Sequence, residues 1–187
     1  LDDGRILVHD FGGDDVASIM AAVGLEMTDL FPAQSGQAAK RVARPFNASD
    51  VLAMVALRLG AAEALGVDFD AVAVECAREY AQVNGFDGRL TLAVGHAQAR
   101  PPHETLNPTL VLANLDRQTL LASAEMLCEY AAGGARLLLS GLLVEQRAEI
   151  EAAYASRGVY VKAVRERDGW LALEATGMET CDGGLCS

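Results

Sequence analysis

Basic residues are scarce in this chain: 15 Lys and Arg stand against 26 Asp and Glu, a net charge of −11. Binding to a phosphate backbone is driven by counterion release on neutralising phosphates, so tight non-specific binding to nucleic acid is not expected. Long apolar runs are also missing. Runs such as Leu137 to Leu139 and Leu142 to Val144 fall far short of the roughly 20 residues that cross a bilayer, which points to a soluble protein. The chain opens Leu1-Asp2-Asp3-Gly4, with neither an initiator Met nor a basic-then-apolar leader, and is expected to begin inside a longer reading frame. Gly-x-Ser-x-Gly, His-Glu-x-x-His and phosphate-loop motifs are absent, and His9 and His103 have no partners at metal spacing, so both read as surface or loop residues.

What is present suits one substantial core: 187 residues, 51% of them hydrophobic. Cys76 and Cys128 sit in apolar helical patterns, where a thiol acts as a small hydrophobe, and a reduced, cytoplasmic setting follows. Cys181 and Cys186 fall in the Gly-rich tail Cys181-Asp182-Gly183-Gly184-Leu185-Cys186. Two thiolates do not complete a tetrahedral metal site, so this segment reads as a disordered terminus.

Along the chain, Arg5 to His9 reads as a short strand. A Gly12-Gly13 turn follows, then a helix from about Asp14 to Val23. Residues 33–49, rich in Gln, Ala, Ser, Lys and Arg and without apolar period, read as a linker. After a cap at Asn47, Val51, Leu52, Val55 and Leu59 recur at helical spacing up to Gly60, and Ala64 to Val67 form a buried strand. The alternation continues with helix Ala71 to Val83, stopped by Asn84-Gly85, and strands Leu90 to Val94 and Thr109 to Ala113. Helix Gln118 to Ala131, strand Arg136 to Ser140 and helix Glu145 to Arg157 complete it. Apolar strands alternating with helices indicate a parallel sheet covered on both faces. Val159 to Arg165 and Trp170 to Glu174 flank Asp168-Gly169, the strongest hairpin signal in the chain, so an antiparallel pair should close the sheet.

Ligands of such sheets bind beyond the strands' C-terminal ends. An acid there can accept hydrogen bonds from ribose hydroxyls, a role open to Asp68 or Asp70 in Gly66-Val67-Asp68-Phe69-Asp70, though Asp70 could equally cap the next helix. Asn114, after Leu110-Val111-Leu112-Ala113, can orient an attacking amine or cap the helix behind it.

From Leu52 onward the chain resembles the ribosomal protein L11 methyltransferase family. The likeness is carried by Ala56-Leu57-Arg58-Leu59-Gly60-Ala61, Gly66-Val67-Asp68-Phe69-Asp70, Asn84-Gly85 and Leu112-Ala113-Asn114-Leu115. It continues through Leu139-Ser140-Gly141-Leu142-Leu143, Glu145-Gln146 and Arg167-Asp168-Gly169-Trp170-Leu171-Ala172-Leu173. The resemblance implies a Rossmann-like methyltransferase sheet, mostly parallel with a C-terminal antiparallel hairpin. It also implies S-adenosylmethionine as methyl donor and a protein amine, such as that of ribosomal protein L11, as acceptor. Asp68 would then bind ribose, Phe69, His96 and Ala97 would line the cofactor, and Asn114 would line the methyl-transfer site. Two departures stand out. Where the family carries an Asp-x-Gly-x-Gly strand and turn, this chain has Arg44-Pro45-Phe46-Asn47-Ala48-Ser49, and His96 replaces an acidic residue. The sheet is therefore expected to be incomplete, or rebuilt, at its first strand.

The front, Gly4-Arg5-Ile6-Leu7-Val8-His9-Asp10-Phe11-Gly12-Gly13-Asp14 through Asp29-Leu30-Phe31-Pro32, resembles the tail of a primase-type zinc-binding domain. Asp10 and Asp14 stand where that module has cysteines, so zinc binding is not expected. The implied organisation is a degenerate module at 1–32, a linker at 33–49, a methyltransferase-like domain at 50–175 and a disordered tail at 176–187. A lone strand and helix cannot bury enough surface to fold alone. Either they pack on the larger domain or stay partly disordered, or Arg5 to His9 enters the gap left by the missing strand, bringing Asp10-Phe11-Gly12-Gly13 to the place of the glycine loop. Against the last stands the distance from Gly13 to Asp68, since such an acid usually follows its loop by roughly 20 residues. The functional alternative is a non-catalytic fusion of two partial domains without cofactor affinity. A nucleic-acid module inherited from the front lacks the basic surface it needs.

Overall fold

The computed structural model describes residues 5–10, 48–86, 88–96 and 107–178, of which 5–10 and 48–51 by their backbone. Seven strands form one sheet in the order β3-β2-β1-β4-β5-β7-β6. They are β1 (Arg5–Asp10), β2 (Glu63–Asp68), β3 (Leu90–Val94), β4 (Leu110–Asn114), β5 (Arg136–Leu143), β6 (Val159–Arg167) and β7 (Trp170–Gly177). Strands β1 to β5 are parallel, and β7 runs antiparallel to both β5 and β6. The helices are α1 (Ala48–Arg58), α2 (Ala71–Val83), α3 (Arg117–Ala122), α4 (Ala124–Ala132) and α5 (Arg147–Ala155).

The first strand is rebuilt from the front of the chain. Leu7 pairs with Leu65 on one side and with Val111 on the other, so β1 fills the slot between β2 and β4. Of the two outcomes open for the front strand, insertion is the one found. The helix read at Asp14 to Val23, the rest of the linker up to Asn47, and the tail cysteines lie outside the described residues.

Side chains alternate across a strand, and this separates two cores. Leu65, Val67, Val111, Ala113, Leu137, Leu139 and Leu173 face Leu120 of α3, Leu127 of α4 and Tyr154 of α5. Ala64, Leu112 and Leu90 face the other way, onto Ala53 to Leu57 of α1 and Ala81 of α2. Each fully buried leucine contributes on the order of 1.5–3 kcal/mol. The one large polar side chain of the first core, Tyr154, satisfies its hydroxyl by donating to Leu120 O at 3.1 Å. Burial raises its pKa, with Cys128 adding to the effect and Arg157 opposing it. Cys76 and Cys128 are buried and not joined in a disulfide, and burial pushes the Cys128 thiol up to about 11, with Arg157 opposing.

Helix ends are set by local chemistry. Asp70 accepts from Val72 N–H at 2.8 Å and starts α2, and Asn84 and Gly85, the latter at φ +71, end it. Just past α1, Arg89 donates to the carbonyls of Ala61 and Ala62 and to that of Leu57 in the last turn, tying the segment before β3 to the end of the helix. Two expected helices are subdivided. The span 118–131 breaks at Ser123 (φ −94, ψ −1), separating α3 from α4. The span 145–157 opens as a 3-10 turn, Val144–Gln146, in which Gln146 Oε1 accepts from Leu143 N–H at 2.9 Å.

Candidate functional site

In a doubly wound sheet the crevice opens where strand order reverses, beyond the C-terminal ends of the strands. Here that point lies between β1, whose predecessor in the sheet is β2, and β4. Parallel register aligns the strand ends along one edge in four pairs: Asp68 is level with Val94, His9 with Val67, Asp10 with Asn114, and Asn114 with Ser140. Among the described residues, the buried polar side chains are Asp68, Asn114 and Ser123, and the first two lie on this edge, on either side of β1. Burying a carboxylate and an amide is unfavourable unless each is hydrogen-bonded.

Both are. Asp68, only 2% exposed, accepts from Asp70 N–H through Oδ1 at 2.8 Å. Its backbone carbonyl accepts from Gly95 N–H at 2.8 Å, tying the end of β3 to that of β2. Gly95 matters here because a Cβ would lie 3.1 Å from Val67 Cγ1. Asp70 is the cap of α2, and Asp68 stands at the end of β2. Phe69 between them is 51% exposed, a large apolar face left beside the carboxylate. His96 follows Gly95 and is exposed; Ala97 lies outside the described residues.

Asn114, also 2% exposed, does not cap the helix behind it. That role belongs to Asp116, which accepts from Gln118 N–H at 2.8 Å, Thr119 N–H at 3.1 Å and Thr119 Oγ1 at 2.6 Å. Burial works to raise the Asp116 carboxyl, but the bonds from the Thr119 hydroxyl and from the Thr119 and Gln118 backbone outweigh it, and the group sits below the usual aspartate value. Asn114 is instead held by β5: Ser140 Oγ donates to Asn114 Oδ1 at 3.0 Å, and Leu115 N–H donates to Ser140 O at 3.1 Å.

Sequence reasoning did not single out Ser140 or Gly141 as residues of this edge, and it brought Asp10 there only for the case in which Arg5 to His9 enters the sheet. Asp10 carries a visible signal, an acid ending an apolar strand before two glycines, but its neighbours depend on where the strand docks. Two cavities, of about 220 Å³ between α2 and β3 and about 450 Å³ between α5 and β6, are lined by none of the edge residues. The buried polar pair is the better guide to the chemistry, because an edge on which a carboxylate and an amide are held out of water requires a reason that a surface groove does not.

The match to known proteins follows the same elements. The family model described as ribosomal protein L11 methyltransferase (PrmA) matches residues 47–177, from the start of α1 to the end of β7. The chain belongs to the ribosomal protein L11 methyltransferase family. A family member from Chromohalobacter salexigens is 38% identical over 124 residues, covering 66% of this chain and 40% of the relative. One from Ralstonia pickettii is 41% identical over 125 residues, covering 67% of this chain and 39% of the relative. The chain thus spans about two fifths of the length of the curated relatives it matches. Among solved structures, the ribosomal protein L11 methylase of Lactobacillus delbrueckii subsp. bulgaricus superposes with a TM-score of 0.66 at 18% identity, over 92% of this chain and 69% of that one. An O-methyltransferase of neocarzinostatin biosynthesis, solved with S-adenosylmethionine, gives 0.57 at 14% identity, over 95% and 50% of the two chains. These superpositions extend beyond the family match in sequence, consistent with a strand from the front completing the shared sheet.

Proposed function

We propose that this chain forms the cofactor-binding and methyl-transferring part of an S-adenosylmethionine-dependent protein methyltransferase, with a protein amine, such as one of ribosomal protein L11, as acceptor. The observation that carries the reading is the rebuilt edge: β1 fills the slot between β2 and β4, flanked by buried Asp68 and buried Asn114. The residues present suit the cofactor. Asp68, braced by Asp70 N–H, offers a carboxylate to ribose hydroxyls, and exposed Phe69 offers a flat apolar face to a purine. His96 and Ala97, at and beyond the end of β3, would flank the base. When bound, S-adenosylmethionine supplies an electrophilic methyl group on a sulfonium. Asn114 would face the incoming amine and hold its lone pair toward that methyl, a contribution of orientation rather than of acid or base.

A cytoplasmic setting fits an acceptor of the ribosome, and among the described residues no helix is long and apolar enough to cross a membrane. The acidic balance of the chain, −11, argues for a protein rather than a nucleic-acid acceptor.

The test is a calorimetric titration of the chain with S-adenosylmethionine, repeated on Asp68→Ala. Saturable binding that falls at least about tenfold in the variant, the loss of one charge-assisted hydrogen-bonding group, supports the reading. A folded chain without affinity for the cofactor sinks it and leaves the non-catalytic fusion as the better account.

A further inference from the structure

The strand β5 does something near Asn114 that sheet formation does not require. Its pairing with β7 is regular up to Leu139–Leu173 and resumes at Leu142–Leu171, so Ser140 and Gly141 fall in a register shift. Gly141 adopts φ +81, a conformation that side chains with a Cβ rarely take. A Cβ at this position would lie 2.8 Å from Leu115 O and 3.1 Å from Asn114 Oδ1. Bulges re-aim side chains beside sites, and this one wraps the corner formed by Asn114 and Leu115. The Ser140 hydroxyl donates to Asn114 Oδ1 at 3.0 Å, the Ser140 carbonyl accepts from Leu115 N–H at 3.1 Å, and the bare Cα of Gly141 allows the approach.

We propose that Ser140 and Gly141 are positioning residues for methyl transfer: the bulge they form in β5 clamps the Asn114 amide in a single orientation toward the acceptor amine. A primary amide has an accepting and a donating end, and turning it over exchanges them. A hydroxyl that donates to Oδ1 fixes which end faces β5, and therefore which end is turned away from it. Fixing that choice before the acceptor arrives removes a rotational cost from the reacting complex. The inference rests on the reading of Asn114 in the proposed function, so its test has one arm that does not use methyl transfer.

In that arm, the Asn114 side-chain amide is followed by proton–nitrogen NMR, its signals identified by their loss in Asn114→Asp. Ser140→Ala should speed solvent exchange of the two Nδ2 protons by about tenfold or more, and Ser140→Thr, which keeps the hydroxyl, should restore slow exchange. The second arm measures methyl transfer from tritiated S-adenosylmethionine to ribosomal protein L11. Ser140→Ala should lower kcat about tenfold while KM for S-adenosylmethionine stays within about twofold, and Ser140→Thr should recover most of the rate. A purely structural hydroxyl would move the melting temperature and leave this split untouched. Unchanged amide exchange in Ser140→Ala overturns the clamp, as does failure of a well-folded Ser140→Thr to restore it. If the parent chain transfers no methyl group at all, the proposed function falls, and the amide exchange still decides whether Ser140 orients Asn114.

Discussion

The strand β1 and the hairpin β6–β7 are held in the same sheet by opposite means. The hairpin closes on itself through Asp168 and Gly169, at φ 50 and φ 84, and its register is dictated by that turn. β1 has no local partner: Arg5 pairs with Glu63 and Ile6 with Leu110, and it is paired in parallel on both sides. Edge strand β6 can lose a hydrogen bond without exposing the core, whereas β1 joins the two halves of the sheet. The long-range strand is also the one that brings Asp68 and Asn114 to opposite sides of one crevice, so the element hardest to place carries the geometry of the site.

Proline separates the two cases most sharply. In Leu7→Pro, a central ladder position loses its N–H and gains a steric clash, and unfolding by urea should show a loss of about 3 kcal/mol or more. Lys162 lies in the register shift of β6 between Val161 and Ala163, where proline is tolerated, and Lys162→Pro should cost well under half of that. Equal losses in the two variants would mean that β1 is not integral to the sheet.

Glycines at positive φ sharpen the contrast between crowded interior and open turn. Gly141→Ala adds backbone strain to a contact with Leu115 O and should cost about 1–3 kcal/mol. Gly169→Ala meets nothing within 4 Å and should cost about 1 kcal/mol, from conformation alone. Chemical denaturation of both variants checks the order.

The smallest expected effect belongs to Asp116, which stabilises its helix through neighbours within three residues. Asp116→Ala should cost about 1 kcal/mol at neutral pH. The folded carboxyl is depressed, so its contribution is complete above the ordinary aspartate value of about 3.9 and fades as pH falls through the lower folded value. The parent and the variant should therefore converge in stability in acid; a difference that persists at pH 2 would mean that the hydrogen bonds to Asp116 are not what sets the cap.

This contrast also explains what was legible in the sequence. Helix Ala71–Val83 and strand Leu90–Val94 are found with the bounds their residues imply, because Asp70, Asn84 and Gly85 act within a few positions. The hairpin was readable for the same reason. The break at Ser123 was not, since Leu120, Ala124, Leu127 and Ala131 keep one apolar face across it. The family and its sheet were legible from residue 52 onward, and Asp68 and Asn114 were singled out as site candidates. What no local pattern could decide was the destination of Arg5–Asp10, because the slot that receives it is formed by strands lying far along the chain. Ser140 and Gly141 escaped for a related reason: their significance lies in the contact with Asn114, not in their own segment.

A backbone ladder recognises spacing and direction, not side-chain identity. The slot between β2 and β4 is thus a socket that a strand from the front of the chain has filled, with Asp10 arriving level with Asn114. In engineering terms, the middle of this sheet is an exchangeable part, and the loop carried by an inserted strand can be changed without redesigning the strands that receive it.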